Sequence, residues 1–544
     1  MDTLSNLPQL QEAYRTSFFD ESGDASGRLA AQAYLESSTA IYHGHLIGLG
    51  FLPKVYDMRA LKELDALAQT TYTILEKVTR HYLDDPSYRK LFGFSPELER
   101  LICLPTGYAS LIPIMRMDLF LDEASMDFRF CEFNTDGSSA MNEDREGANA
   151  LSLSPTFKNA NLQLQLEAQE LFDGWVDEFL AIYAGSEQAI SASGGQAISA
   201  PDGQLLDAPG VQLLDAPCIA IVDYTESATP HEFEEFRRRF EARGYDCLIC
   251  DIRNLEYRDG LLYGLDVDVH RAQLGRQRID AVYRRAVTGE ILADLSGHPV
   301  ASSGLTQINI DAATAQNFIN ENDSAIIGAH ALVKAVEQKR ICMIGGFVSH
   351  VAHCKQLATV LHLPATAEFL SDEENAFIRQ HLPFTTRLDE DHIDLSVVKE
   401  NKDDWIVKPE DGYGSQGVYA GIDYDDVAWG ELIEACSHKR YVVQAYCPQY
   451  ATPNIRVIPL DDAKELLFAS KGQPSASLQP KDPYGLQPWN ILTGLYLYNG
   501  RFSGLFVRAG QRGIIVGFAG GITVPAFLSG YDEKAGLALR SRPV

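Results

Sequence analysis

Two stretches of this chain hold the residue types that phosphate and carboxylate chemistry needs. Arg116-Met117-Asp118 and Glu132-Phe133-Asn134 supply one guanidinium and three hard oxygen ligands. Lys408-Pro409-Glu410-Asp411-Gly412-Tyr413-Gly414-Ser415-Gln416-Gly417 supplies an ammonium group and a glycine loop. Hard oxygens suit magnesium, which binds beside phosphates. A lysine meets phosphate as a point charge. These are the parts needed to hold a nucleoside triphosphate with magnesium and to activate a carboxylate. The oxygen cluster comes about 275 residues before the glycine loop.

The elements that position these groups can be read from periodicity. Glu132 and Asn134 are two apart, so on a strand they share a face, and so do Arg116 and Asp118. Residues 111–121 and 126–133 are apolar runs separated by Asp122-Glu123-Ala124-Ser125, which predicts a hairpin or adjacent strand pair. An ordinary solvated sheet face with salt bridges would use the same residue types, but the surrounding strands are apolar. Gly412, Gly414 and Gly417 satisfy G-x-G-x-x-G. A dinucleotide fingerprint needs a helix after the loop. Residues 418–422 read instead as a strand, so the loop is expected to be a flap over phosphates, the plain alternative being a tight hairpin with a solvated Lys408.

Around these parts the chain divides into five stretches. Residues 1–99 are an N-terminal helical layer, with helical periodicity at 28–48 and 59–82. Residues 100–185 carry the oxygen cluster and end in a long amphipathic helix at 158–184. Residues 186–216 hold a repeat of period eight, Gln188-Ala-Ile-Ser-Ala then Gln196-Ala-Ile-Ser-Ala, and Gln204-Leu-Leu-Asp-Ala-Pro then Gln212-Leu-Leu-Asp-Ala-Pro. Four such units are too small to stack into a core, so they read as a duplicated surface loop or linker. Residues 217–300 give strand, helix, strand, strand at 218–223, 231–243, 246–250 and 280–285, a small parallel α/β unit. Residues 301–544 are helical at 313–362 and 372–381, then strand-rich at 405–408, 417–420, 441–445, 492–498 and 505–508.

With 544 residues the chain exceeds one hydrophobic core. Its net charge of −29 argues against nucleic acid or an anionic membrane as partner. No apolar run of about 18 residues predicts a membrane span. The start lacks a signal pattern, and nine cysteines do not make a disulfide framework. Cys247 and Cys250 have redox or zinc half-site spacing but sit in an apolar strand, as buried thiols would. A cytoplasmic protein is expected. A homodimer is a common state for such chains, and no interface is visible in the sequence.

The motif set R-x-D, E-x-N-x-D, K-P-x-x-G-x-G-x-x-G and a late arginine resembles the ATP-grasp superfamily, in the circularly permuted form typified by glutathionylspermidine synthetase. Here these are Arg116 and Asp118; Glu132, Asn134 and Asp136; Lys408 to Gly417; and Arg508 in Phe506-Val507-Arg508-Ala509. The permuted form is what puts metal ligands before the glycine loop. The resemblance implies an α/β (α+β) protein: a circularly permuted ATP-grasp fold with a small parallel α/β subdomain and the helical layer. It implies ATP and Mg2+ as cofactors, with Asp118, Glu132 and Asn134 on magnesium. Lys408, Gly412, Gly414, Ser415, Gln416 and Gly417 would meet phosphates. Lys355 matches a second ATP lysine, with Lys334 and Lys339 as competitors. Gln444, Ala445 and Tyr446 match the hinge that meets adenine. Arg116 and Arg508 would stabilise the acyl-phosphate and the tetrahedral intermediate. Asp136, Ser138, Ser139, Arg284 and Arg285 are candidates for substrate binding, with structural ion pairing an equal alternative for the last two.

The chain departs from that family in lacking a recognisable N-terminal cysteine amidase module. The segments at 137–143 and 520–525, which would line the acceptor site, also differ, so glutathione and spermidine do not follow as substrates. The implied activity is ATP-dependent ligation of a small or peptide carboxylate to an amine, releasing ADP and phosphate. Competing expectations are an NAD-dependent oxidoreductase using Gly412 to Gly417, and a non-catalytic nucleotide- or peptide-binding scaffold. Replacing residues 188–215 with a plain Gly/Ser linker is expected to change turnover less than twofold, measured as steady-state product release; a large loss would place the repeat at the site.

Overall fold

Residues Ile114–Leu121 and Phe128–Asn134 form the antiparallel hairpin that their two apolar runs predict. The turn between them is tied by Asp122 N–H to Asp127 O at 2.8 Å and Met126 N–H to Asp122 O at 2.7 Å. The computed structural model describes residues 7–42, 44–192, 217–298, 325–412, 414–457, 484–515 and 520–530. In it the hairpin forms one side of a sheet whose other strands come from the far end of the chain. Gln487–Tyr498 pairs with Ile114–Leu121, Arg501–Gly510 pairs with Gln487–Tyr498, and Ile522–Val524 pairs with Arg501–Gly510, all antiparallel.

Alternation decides the two faces of this sheet. Met115, Met117, Leu119, Leu495, Leu497, Leu505 and Val507 point into the largest core cluster. There they meet the helix Met58–Asp84, whose buried residues Leu61, Leu64, Ala68, Leu75, Val78 and Tyr82 recur at helical spacing. Asp57 caps that helix by accepting from Ala60 N–H at 2.8 Å. The opposite face carries Arg116, Asp118, Glu132, Asn134 and Arg508, so one pleat separates core from chemistry.

The region after residue 217 is a four-stranded parallel sheet in the order Cys342–Ile344, Ala281–Arg284, Ile219–Asp223, Cys247–Asp251. The helix Pro230–Ala242 follows its first strand. The strand Cys342–Ile344 lies inside a stretch expected to be helical. Three residues bounded by Arg340 and Gly345-Gly346 are too short to show a period. Cys247 and Cys250 are buried free thiols, as expected. A further antiparallel sheet runs Thr385–Arg387, Tyr441–Ala445, Trp405–Pro409, Tyr419–Ala420. The glycine loop joins its last two strands; a single 3-10 turn at Gly421–Asp423 follows, and the next α-helix is Asp426–Ser437. That connection fits the flap and lacks the strand–turn–helix of a dinucleotide site.

Two helices end sooner than periodicity suggests. The first stops at Ser37 and gives way to the small hairpin Ile41–Tyr42 and His45–Leu46. The stretch 158–184 breaks at Gln165, which adopts φ 50°, and Leu166–Ala168 turns into a strand paired with Ala526–Ser529 before the helix Phe172–Ala184. Of the repeat, Glu187–Ala192 is a short helix, and the rest lies outside the described residues, as does 313–324 of the stretch expected to be helical. Among the described residues no helix is long and apolar enough to cross a membrane.

A buried ion pair clamps the hairpin to the parallel sheet. Asp136, just past the hairpin, meets Arg284 at 2.5 Å, and both side chains are 1 % exposed. Asp136 also accepts from Thr288 N–H at 2.8 Å. Burial pushes its carboxyl up, but Arg284 and the nearby histidines His350 and His353 outweigh burial and hold it well below the usual carboxylate range. Arg284→Met is expected to cost about 3 kcal/mol or more in urea unfolding at pH 7. A depressed folded pKa contributes stability above the unfolded value of about 3.9 and loses it as pH falls toward the folded one. The gap between wild type and variant should therefore narrow below about pH 4.

Candidate functional site

The register of the central sheet places the chemistry-bearing residues in one row. Asp118 pairs with Glu132 and Arg116 with Asn134 on one side; Asp118 faces Gly494 and Arg116 faces Tyr496 on the other. Arg508 lies one strand further, opposite Leu492. Asp118 is held from two directions. Arg116 donates through Nε to Oδ1 at 2.8 Å and through Nη2 to Oδ2 at 3.1 Å. Arg508 Nη2 donates to Oδ2 at 2.6 Å and Asn134 Nδ2 to the same oxygen at 3.2 Å. Both guanidinium groups also lie over the Phe506 ring, at 5.5 and 5.7 Å. Arg116 is fixed further by donating to Ser139 O at 2.8 Å, an oxygen that Tyr496 OH shares.

Glu132 stands beside this triad with more cations around it than carboxylates. Burial pushes its carboxyl up, and Lys355, Lys408, Arg508 and Arg116, in falling order of effect, more than offset that and hold it at about 2. Lys408 reaches it from the strand Trp405–Pro409, where its Nζ donates to Gln444 Oε1 at 2.8 Å and to Cys131 O at 3.1 Å. Gln444 is oriented in turn by donating to Thr385 Oγ1 at 2.8 Å. Lys355 donates to Gly412 O at 2.8 Å and so pins the root of the glycine loop. Lys334 and Lys339 are elsewhere, near Glu337 at 3.8 Å and Glu187 at 2.9 Å.

The loop itself bends through Gly412, Gly414, Ser415 and Gly417, all at positive φ. Gly417 has a second constraint: a methyl group there would come within 2.7 Å of the Tyr441 hydroxyl. Gly414 and Gln416 are exposed, while Ser415 reaches the cleft below. Tyr413 lies outside the described residues. That cleft is lined by the apolar side chains of Phe120, Phe130, Ile406, Leu492 and Ile515 together with Glu132, Lys408 and Arg508. Its free volume is about 50 Å3, far below the several hundred Å3 that a nucleotide-sized ligand needs. A nucleotide enters only if the loop lifts. Ala445 and Tyr446 line the same cleft, but their N–H groups already donate to Phe384 O and Asp404 O, both at 2.8 Å.

The oxygen donors fit a hard divalent cation unequally. Glu132 has one long contact, from Asn134 Nδ2 at 3.5 Å, and keeps its lone pairs for a metal. Turning the Asn134 amide would add its oxygen. Asp118 gives both oxygens to arginines and would join a metal only if Arg508 swung away. Among the described residues no group of three His, Cys, Asp or Glu side chains converges to hold a metal, so two carboxylates and an amide are the set this face offers.

Other expected substrate-binding residues have structural duties. Arg284 is spent on Asp136 and on Ala286 O at 2.7 Å and Gly346 O at 3.1 Å. Arg285 is buried against Glu232 at 2.8 Å. Ser138 donates to Asn134 O at 2.5 Å, and Ser139 works through its carbonyl. These residues shape the site from behind. Spacing alone gave no sign of it, because the partner carboxylates lie on distant elements. Gly494 is a residue the motifs missed. It leaves the space over which Arg116 and Asp118 lie: a methyl there would stand 2.9 Å from Arg116 Cδ, Asp118 Oδ1 and Phe506 O. A glycine inside the apolar strand 492–498 was the available signal.

The fold is similar to that of a solved glutathione synthetase-like effector from Globodera pallida. The likeness has a TM-score of 0.51 at 11% identity, over 92% of this chain and 96% of that one. A protein from Methylobacillus flagellatus KT described as a gamma-glutamylcysteine synthetase aligns over 84% of this chain and 88% of its own at 10% identity, with a TM-score of 0.30. No family model matches the chain, and no curated protein matches it.

Because the Phe506 carbonyl cannot yield, Gly494→Ala should cost about 1–3 kcal/mol. It should also push Arg116 off Asp118. Guanidinium chloride unfolding checks the first, and the second appears as a lost guanidinium–carboxylate contact in a crystal structure of the variant.

Proposed function

We propose that the protein is an ATP-dependent, magnesium-requiring carboxylate–amine ligase on a circularly permuted ATP-grasp fold. The observation that carries this reading is the cleft: apolar side chains and the charged groups Glu132, Lys408 and Arg508 line one space, and Ser415 of the glycine loop lines it too. The overall fold, like that of a glutathione synthetase-like effector, supports it. So does the strand order, in which the oxygen cluster precedes the lysine strand.

Bound ATP with magnesium supplies the phosphoryl group that turns a carboxylate into an acyl-phosphate and screens charge between the two anions. The protein's own groups do the rest. Lys408 and Lys355 bind phosphate oxygens, Lys355 exchanging its Gly412 carbonyl for one when the loop lifts. Glu132 and Asn134 would hold magnesium, with Asp118 as a third oxygen ligand if Arg508 released it. Arg116, braced by Ser139 O, neutralises charge that builds on the acyl oxygen. Closure of the loop excludes water, which would otherwise hydrolyse the activated acid. An amine then forms the amide, with ADP and phosphate as the other products. The hinge N–H groups at Ala445 and Tyr446 are committed, so adenine would be held by apolar packing and carbonyl acceptors. The acid and amine are small molecules or peptides.

The test is ADP release from ATP and magnesium against a panel of acids and amines, with ATP binding by calorimetry. Amine-dependent ADP release is expected. Its absence with every pair refutes the ligase reading, and binding without turnover points to a nucleotide-binding scaffold. Glu132→Ala should abolish turnover in a folded protein. Lys355→Met should lower it by about 10²–10³, the usual effect of removing one stabilising charge, while Lys334→Met and Lys339→Met stay within twofold of wild type.

A further inference from the structure

The row of charges has a second side that the ATP cleft does not use. The helix Met141–Ser152 begins there, its first N–H groups capped by a carboxylate from another element. Glu232 Oε2 accepts from Ala140 and Met141 N–H at 2.9 Å and from Asn142 N–H at 3.4 Å. Glu143 follows on the first turn, half-buried. Its hydrogen-bond partner among the described residues is Thr523, whose hydroxyl donates to Oε2 at 3.4 Å. Thr523 is the cross-strand partner of Arg508. Glu143 thus stands one strand from Arg508, behind the arginine pair as seen from Lys408.

Among the described residues this carboxylate forms no ion pair. Arg116 and Arg508 give their closest N–H groups to Asp118, and Glu143 feels them only at a distance. Burial and then Glu232 raise its carboxyl; Arg508, Arg116 and the Thr523 hydroxyl oppose them, and it comes to about 7. Tyr42, on the small N-terminal hairpin, is within electrostatic reach of the same groups: burial, then Glu143, push its phenol up to about 12, and Arg508 and Arg116 oppose them. Asp144, next along the helix, turns to Ala526 N–H at 3.3 Å instead. A half-buried carboxylate with no salt bridge among the described residues, one strand from Arg508, has the chemistry of a base.

We propose that Glu143 is the catalytic base for the acceptor, a primary amine that arrives as an ammonium ion between Glu143 and Tyr42. The proposal rests on the ligase reading. The ammonium gives one proton to the Glu143 carboxylate. The freed lone pair forms the C–N bond at the acyl carbon, the C–O bond to phosphate breaks, and phosphate departs with that bond's electron pair. The second nitrogen proton leaves to solvent. Cation-rich and anion-rich sides then sort the two substrates: phosphates toward Lys355 and Lys408, ammonium toward Glu143 and Glu232.

Hydroxylamine separates this step from activation, because it attacks acyl-phosphates while already unprotonated at pH 7. Wild type should form hydroxamate with hydroxylamine and amide with a protonated amine from the same acid. Glu143→Gln should lose about 10²-fold or more with the protonated amine, the usual worth of a positioned base, and less than tenfold with hydroxylamine. In wild type the amide rate should rise with pH through about 7, and Glu143→Gln should lack that limb. Thr523→Ala removes a hydrogen bond that favours the carboxylate, so it should move the limb to higher pH. Equal loss with both nucleophiles, or amide formation by Glu143→Gln within threefold of wild type, overturns the proposal. Absence of hydroxamate from wild type with any acid overturns the ligase reading itself and the proposal with it.

Discussion

Asp118 between Arg116 and Arg508 is the interaction on which the rest of the site depends. Its side chain is 1 % exposed, and the two guanidinium groups share its oxygens. Burying charge in a sheet is expensive, and a hydrophobic replacement of similar size is often as stable or more so. Two cations on one carboxylate also leave an excess positive charge. Glu132 offsets part of it, but Lys408 and Lys355 add more. The face therefore carries excess positive charge, which in the proposed ligase the phosphates of the nucleotide would balance. The same excess keeps Glu132 ionised despite burial. In that reading a carboxylate for magnesium is ready before the metal binds.

Register and pleat hold this arrangement in place. Arg116, Asp118, Glu132, Asn134 and Arg508 share a face only because Ile114–Leu121 lies between Phe128–Asn134 and Gln487–Tyr498 in one fixed alignment. A slip of one residue would turn the charged row into the core beside the helix Met58–Asp84. Gly494 reinforces the alignment, since only a residue without Cβ fits beneath Arg116 and Asp118 at that position. The sheet also joins residues nearly four hundred positions apart, so the site cannot assemble until both halves of the chain have been made. Local elements such as the Lys408 hairpin can form earlier, and their lysines meet the oxygen cluster last.

Much of this was legible in the sequence, for identifiable reasons. The hairpin at 114–134, the strand after the glycine loop and the helix Asp372–His381 follow from short-range alternation or periodicity. The candidate residues could be picked out because chemistry restricts their types, and the structure brings Arg116, Asp118, Glu132, Asn134, Lys355, Lys408 and Arg508 near one another. What could not be read depends on distant partners. Cys342–Ile344 is a strand because parallel neighbours pair with it, not because three residues show a pattern. Gln165 breaks a helical period because Leu166–Ala168 is drawn to Ala526–Ser529. Arg284 and Arg285 read equally as substrate anchors or as structural ion pairs, because the two kinds of arginine look alike until their carboxylates, Asp136 and Glu232, are located.

Those two structural arginines also explain how opposite charges can coexist at short range. Arg285 balances Glu232, which leaves the second Glu232 oxygen to cap the helix that carries Glu143. Arg284 balances Asp136, which fixes the end of the strand that carries Glu132 and Asn134. Each buried pair therefore anchors one end of the segment 132–143, and the segment has little freedom to shift. One of its ends faces Lys355 and Lys408; the other faces Thr523 and Tyr42. A short rigid segment with a carboxylate at each end, crossed in the middle by Arg116 through Ser139 O, can meet an anion on one side and a cation on the other. Neither charge then has to pass through the other's field. That geometry suits a reaction in which an amine adds to an acyl carbon from one side of the site while the phosphate, lost from the tetrahedral intermediate, is held on the other.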